Sequence, residues 1–507
     1  MRVCVCVLKR SNFKFSIIVV IIVAFIIVSI LWYYRSIMET WVSQLPELFW
    51  IGTQRVESGL KELSSHLMLR SPPTDWLTIF FELANNATDL LINFYLVNPR
   101  TFFAILLCLC YVIYYIRNVV HKPMFICAEG RFKWFIKANC PIVNDNYWPT
   151  LWCYETHLLT PISNFLRSLI PELKYHREIL STSDGGQISL DWYDPDGSET
   201  KTVYRQTSLD NQEQTLSKHS MSERSVENNK PIALFLPGLA GSSQAEYIKS
   251  LVPIAHRIGY RVVVINYRGL GNTPLLTPRM YCAADDADLC TALVHLREAN
   301  PKEKIIAVGI SLGGIILARY LIRSGYHSLV DAAFMVSVCW DIMEGIASME
   351  KGLNFALNQH LTRSLVSIVE ANREIFQKLP NIDIDAVSKC RNQREFDEKF
   401  TIRMFNFESV SHYYCESSHK GKIACIKTPT FCINAADDMF MPLEYLPLDE
   451  VLQSRNVAML VTQRGGHIGF MDGFIPNFKC EFYSERVIEQ YLKALYQLTD
   501  IKRDLLL

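Results

Sequence analysis

The chain has no excess of either charge: Lys plus Arg and Asp plus Glu each number 51 among its 507 residues. A balanced chain has no basic field to attract phosphate backbones, so nucleic acid is not an expected partner. C-x-x-C spacing is also missing, and the fifteen cysteines are an odd number, so neither a zinc site nor a disulfide framework is signalled. No metal and no cofactor are expected. Arg35 to Arg100 holds no cysteine at all, whereas eleven of the fifteen lie at or beyond Cys127. That distribution suits a main domain in a reducing compartment and an intervening stretch in an oxidising one.

Apolar residues are plentiful: half the chain is hydrophobic, and the mean hydropathy is +0.11. Phe15–Tyr34 is an uncharged run long enough to cross a bilayer as a helix, and Lys9, Arg10 and Lys14 precede it. Thr101–Ile116 is a second uncharged run, ending in tyrosines and followed by Arg117, Lys122, Arg131, Lys133 and Lys137. The basic flanks predict a cytosolic N-terminus and, if both runs cross, a cytosolic main domain. The single N-x-S/T sequon, at Asn86, falls between the runs, where a lumenal loop would carry sugar. The expectation is an integral membrane protein of an internal membrane, with the bilayer as its partner.

The chemistry is concentrated in Ile305–Gly314. A β-branched apolar run leads into Gly309-Ile310-Ser311-Leu312-Gly313, and an apolar helical stretch, Ile315–Ile322, follows. This is the G-x-S-x-G elbow, in which a sharp strand-to-helix turn lifts the serine hydroxyl above a sheet. The two glycines are needed because side chains two residues to either side would collide. Around the elbow, strands are expected at Tyr175–Leu180 and Gln187–Trp192 (a hairpin), Ile232–Leu236, Arg261–Asn266, Ala332–Val338, Thr430–Asn434 and Ala458–Thr462, with a helix over Cys282–Arg297. Alternation of this kind predicts an α/β fold, a mostly parallel sheet with helices on both faces and its site at the strands' carboxyl ends.

Three further loops then acquire roles. The Gly-rich turn after Ile232–Leu236 makes the amide of Leu239 a second oxyanion donor beside that of Leu312. His467, in Arg464-Gly465-Gly466-His467-Ile468-Gly469, is the expected base. The acid is Asp438, with Asp437 and Asp341 as alternatives. The order Ser…Asp…His is that of the α/β hydrolases. Between Asp341 and Lys427 the chain makes a long excursion in which Leu353, Leu357, Leu361, Leu365 and Val369 recur every fourth residue, a helical stripe that would shape an acyl pocket or pack on the core. Glu199–Lys230, polar and poor in apolar anchors, is expected to be a disordered loop.

The resulting partition is 1–34 tail and first span, 35–100 inter-span loop, 101–120 second span, 121–174 juxtamembrane helical segment, 175–341 and 428–507 hydrolase core, and 342–427 lid. Tyr147–Cys153, Asp184–Trp192, Leu236-Pro237-Gly238 with Gly241–Gln244, Val308–Gly314, Cys339-Trp340-Asp341 and Arg464–Phe470 together resemble the membrane-anchored α/β-hydrolase-domain proteins of the AB hydrolase 4 family. The resemblance implies a triad on Ser311, Asp438 and His467, an anchor corresponding to Thr101–Ile116, and esterase action on membrane lipids, with phospholipid deacylation the leading theme. Acylglycerol hydrolysis or acyl transfer on the same triad, and lipid or steroid binding without catalysis, are the alternatives.

Overall fold

A computed structural model describes residues 96–197, 202–205, 230–473 and 481–506. The run Phe15–Tyr34, Asn86 and most of 199–230 lie outside the described residues. The chain divides into two units, Met1–Asn118 and Val119–Leu507. In the first, helix α1 (Pro99–Asn118) takes in the second apolar run, and among the described residues it is the one helix long and apolar enough to cross a membrane. Phe103, Ile105, Leu109, Ile113 and Ile116 are exposed on it.

The second unit is built on a ten-stranded sheet. Its strands are β1 (Met124–Ile126), β2 (Tyr175–Ser181), β3 (Gln187–Tyr193), β4 (Thr202–Arg205), β5 (Ile232–Leu236), β6 (Arg261–Asn266), β7 (Ile305–Ile310), β8 (Ala332–Val336), β9 (Thr430–Ala435) and β10 (Val457–Thr462). They lie in the order β1-β10-β9-β8-β7-β5-β6-β3-β2-β4. The block from β10 to β6 is parallel throughout, while β1, β2 and β3 pair antiparallel with β10, β3 and β6 respectively.

Strand periodicity divides the core. In β5, Ile232, Leu234 and Leu236 join one hydrophobic cluster, and Ala233 and Phe235 join the other. β7 alternates likewise, with Ile305 and Ala307 against Ile306, Val308 and Ile310. A sheet buried on both faces needs such continuous apolar strands. On the labels used here, α2 is Arg131–Asn139, α3 Thr156–Ser168, α4 Glu246–Ile258, α5 Ala287–Ala299, α6 Leu312–Ser324, α7 Ile342–Met349, α8 Asn354–Ala371, α9 Val410–Ser417 and α10 Tyr483–Gln497. Side chains of α5 and α6 fill the first cluster, and those of α4 and α10 the second.

Four elements differ from the sequence expectation. α5 begins at Ala287, because Cys282–Asp286 is a loop pinned where Tyr413 accepts from the Ala283 N–H. β8 stops at Val336, where Ser337 turns left-handed with φ 51°. Within 121–174, Met124–Ile126 is an edge strand, a three-residue piece with no periodicity to announce it. Of the stretch expected to be disordered, Thr202–Arg205 is β4, parallel to β2.

The chain moves from β5 to β6 on one side and then returns to place β7 on the other. That reversal opens a crevice at the carboxyl ends of β5 and β7, the position where open α/β sheets bind ligands.

Candidate active site

Ser311 follows β7 with φ 52° and ψ −117°, a strained conformation for a residue with a side chain. The turn is possible because its neighbours have no Cβ. One placed on Gly309 would sit 2.6 Å from the Gly314 Cα, and one on Gly313 would sit 2.1 Å from the Leu236 carbonyl oxygen. Leu312 opens α6, where the first amides have no intrahelical acceptor.

The loop after β5 approaches the same point. A Cβ on Gly238 would stand 3.2 Å from that of Ser311. Tyr247 Oη accepts the Gly238 N–H at 2.9 Å, and Tyr281 Oη accepts the Ala240 N–H at 2.8 Å. The N–H of Leu239 lies between them, and among the described residues it has no acceptor.

His467 follows β10. Its Nε2 lies 2.9 Å from Ser311 Oγ, and its Nδ1 lies 2.9 and 3.1 Å from the two oxygens of Asp438, which is fully buried. The Phe440 ring lies against the imidazole, with centroids 4.0 Å apart. The other two carboxylates are engaged elsewhere. Asp437 Oδ1 accepts the Gly466 N–H at 2.9 Å, and burial pushes its pKa up to about 7. Asp341 caps α7, accepting from the Glu344 N–H. Ser311, His467, Asp438 and the Leu239 and Leu312 turns thus come together, while Asp437 braces the histidine loop and Asp341 stands apart as a helix cap.

Ser311 and His467 line a cavity of about 660 Å³. Its walls are largely apolar, with Ile342, Ile346, Leu357, Leu361, Phe400 and Met404 drawn from the excursion between β8 and β9. Leu353, Leu357, Leu361 and Leu365 of the leucine stripe face this cavity, while Val369 is buried in the core. A cavity of this size and lining accommodates a hydrocarbon chain.

Sequence reasoning missed Tyr247 and Tyr281, which hold the Leu239 turn, Phe440, and the whole of α3. Thr160 Oγ1 accepts the His467 N–H at 3.1 Å. Arg167 reaches the carbonyls just beyond His467. These residues belong to no local motif, and no signal in the sequence marks them.

A family model described as the alpha/beta hydrolase fold matches residues 231–474. The human protein named phospholipase ABHD3 is 36% identical over 388 residues, covering 76% of this chain and 88% of its own length. The Caenorhabditis elegans protein abhd-3.2 is 31% identical over 344 residues, 68% of this chain and 84% of its own. Among solved structures, the Pyrococcus furiosus esterase Pf2001 aligns over 58% of this chain and 84% of its own, at 17% identity and a TM-score of 0.36. Identity of this extent to proteins spanned almost end to end means that the chain belongs to the α/β-hydrolase family, in the group that includes the ABHD3 proteins.

Proposed function

We propose that this protein is a membrane-bound serine hydrolase that cleaves carboxylic esters of lipids, with glycerophospholipids as the substrate class. The observation that carries the reading is a hydrogen-bonded line from Asp438 through His467 to Ser311 on the wall of an apolar cavity. The phospholipase name of relatives 36% identical over most of the chain supports the substrate class.

The mechanism follows from the geometry. His467 Nε2 accepts the Ser311 proton as Oγ attacks the ester carbonyl, and Asp438 holds the ring by its Nδ1–H and stabilises the imidazolium. The amides of Leu239 and Leu312 donate to the developing oxyanion. Collapse expels the alcohol, which takes the proton from His467. Water activated by the same imidazole then releases the fatty acid from the acyl-enzyme.

α1 serves as a membrane anchor in this reading, keeping the cavity beside a two-dimensional pool of substrate. The cytosolic placement follows if Phe15–Tyr34 also crosses; a glycosidase-sensitive mass shift lost in Asn86→Gln supports it, and an unmodified Asn86 counts against it. For the chemistry, a fluorophosphonate probe labels wild type and not Ser311→Ala, and fatty acid release from phospholipid vesicles disappears with the label. Equal labelling of both proteins ends the serine-hydrolase reading.

A further inference from the structure

α3 precedes the residues matched by the family model, and Glu485 follows them. Arg167, the one Lys or Arg in α3, points inward and is 2% exposed; Glu485, in the first turn of α10, is 1% exposed. The guanidinium donates through Nε and Nη2 to Glu485 Oε1 at 3.0 and 2.6 Å. Its other donors go to the loop bearing the imidazole: Nη1 to the Ile468 carbonyl at 2.8 Å and Nη2 to that of Gly469 at 3.4 Å. The Phe482 ring lies 4.8 Å beneath the guanidinium carbon. Glu485 also accepts from Ser250 at 2.8 Å and Ser484 at 2.7 Å.

That loop needs external support. Ile468, a β-branched residue, has φ 62°, and Phe470 has φ 46°. Such residues stay left-handed only where the surroundings over-determine them. The supports include the Arg167 bonds to two carbonyls, the Ser337 hydroxyl that accepts the Ile468 N–H at 3.0 Å, the Thr160 hydroxyl that accepts the His467 N–H and the Asp437 carboxylate that accepts the Gly466 N–H. The helix and the loop are in close contact. A Cβ on Gly469 would fall 2.0 Å from Leu159 Cδ2, and one on Gly466 would fall 2.4 Å from Thr160 Oγ1.

We infer that Arg167, anchored by Glu485, and Thr160 are positioning residues that set the imidazole of His467 against Ser311, so that α3 is part of the active site and not merely a connection to α1. A buried ion pair by itself is weak support for stability, since apolar residues of similar volume often replace one at no loss. This pair is different in that the guanidinium donors left over from Glu485 are spent on the two peptide groups that orient His467. The inference rests on the reading of His467 as the base.

The test uses the full chain in detergent or nanodiscs, with Arg167→Met, Arg167→Lys and Thr160→Val. The measured quantities are kcat and KM on a soluble ester, the rate of fluorophosphonate labelling, and Tm. A small misplacement of a reacting group costs up to roughly 100-fold. Arg167→Met is therefore expected to lose roughly 10- to 100-fold in kcat and labelling rate with KM nearly unchanged, and Arg167→Lys to recover part of the loss. Thr160→Val, which keeps the volume and removes one acceptor, is expected to lose a few-fold in kcat at wild-type Tm. A lowered Tm with wild-type kcat in the folded fraction overturns the inference. If Arg167→Met does not fold, wild-type kcat in both other variants overturns it. Failure of the triad reading looks different: Ser311→Ala then keeps its turnover whatever happens at Arg167.

Discussion

Ser311 and His467 share one hydrogen bond, yet the loops that carry them are shaped by opposite means. Around Ser311 the backbone is shaped by absent atoms, since a Cβ on Gly309 or Gly313 would fall within 3.0 Å of neighbouring backbone and one on Gly238 would crowd Ser311. Around His467 it is shaped by added polar contacts from distant places: Asp438 and Asp437 after β9, Ser337 after β8, and Thr160 and Arg167 from α3. The serine side is held by excluded volume between two short glycine-bearing turns. The histidine side is held by hydrogen bonds spanning up to about three hundred residues. Steric constraints leave a fixed short string in a sequence, and long-range hydrogen bonds do not.

The contrast can be broken at several points. The largest effect is expected from Ser311→Ala, which removes the proposed nucleophile and should lower kcat by roughly 10⁶-fold, the scale for losing a triad member; residual ester cleavage measured against the uncatalysed rate checks it. Asp438→Asn should cost about 10⁴-fold in kcat through the wrong imidazole tautomer, whereas Asp437→Asn should cost far less. Equal losses at the two aspartates would show that the acid is not read by contact with Nδ1. On the serine side, Gly313→Ala drives a methyl against the Leu236 carbonyl, and backbone cannot yield as a side-chain tip can. Denaturant unfolding should register a loss of about 3 kcal/mol, at the upper end of overpacking costs.

The smallest effect concerns pH and lies in the cavity wall. Asp397 is buried there, accepting from Thr401 at 2.7 Å and Tyr414 at 3.0 Å, and desolvation lifts its pKa from 3.8 to about 7. A carboxyl whose folded pKa is raised binds more protons folded than unfolded between those values, so its contribution to stability declines as pH rises from about 4 to about 7. Asp397→Asn should flatten that decline, read as a smaller drop in Tm between pH 5 and pH 8 than in wild type. An unchanged slope would rule out Asp397 as its source and leave Asp437 and Asp472, which shift the same way.

Much of this molecule is written locally. The apolar runs that became β5 and β6 match their predicted bounds, because a strand buried on both faces must be continuously apolar, and the elbow is legible because only glycine tolerates its contacts. The order of serine, acid and histidine along the chain, and the leucine stripe that faces the cavity, are equally matters of sequence. Only the tertiary structure separates Asp438 from Asp437, since two adjacent carboxylates share one local context and differ in which group stands across from each. It alone brings Tyr247 and Tyr281 to the Leu239 turn, and Thr160 and Arg167 to the far side of His467. A hydrogen bond between side chains three hundred residues apart depends on where the fold brings two surfaces together, and no short window of sequence contains both.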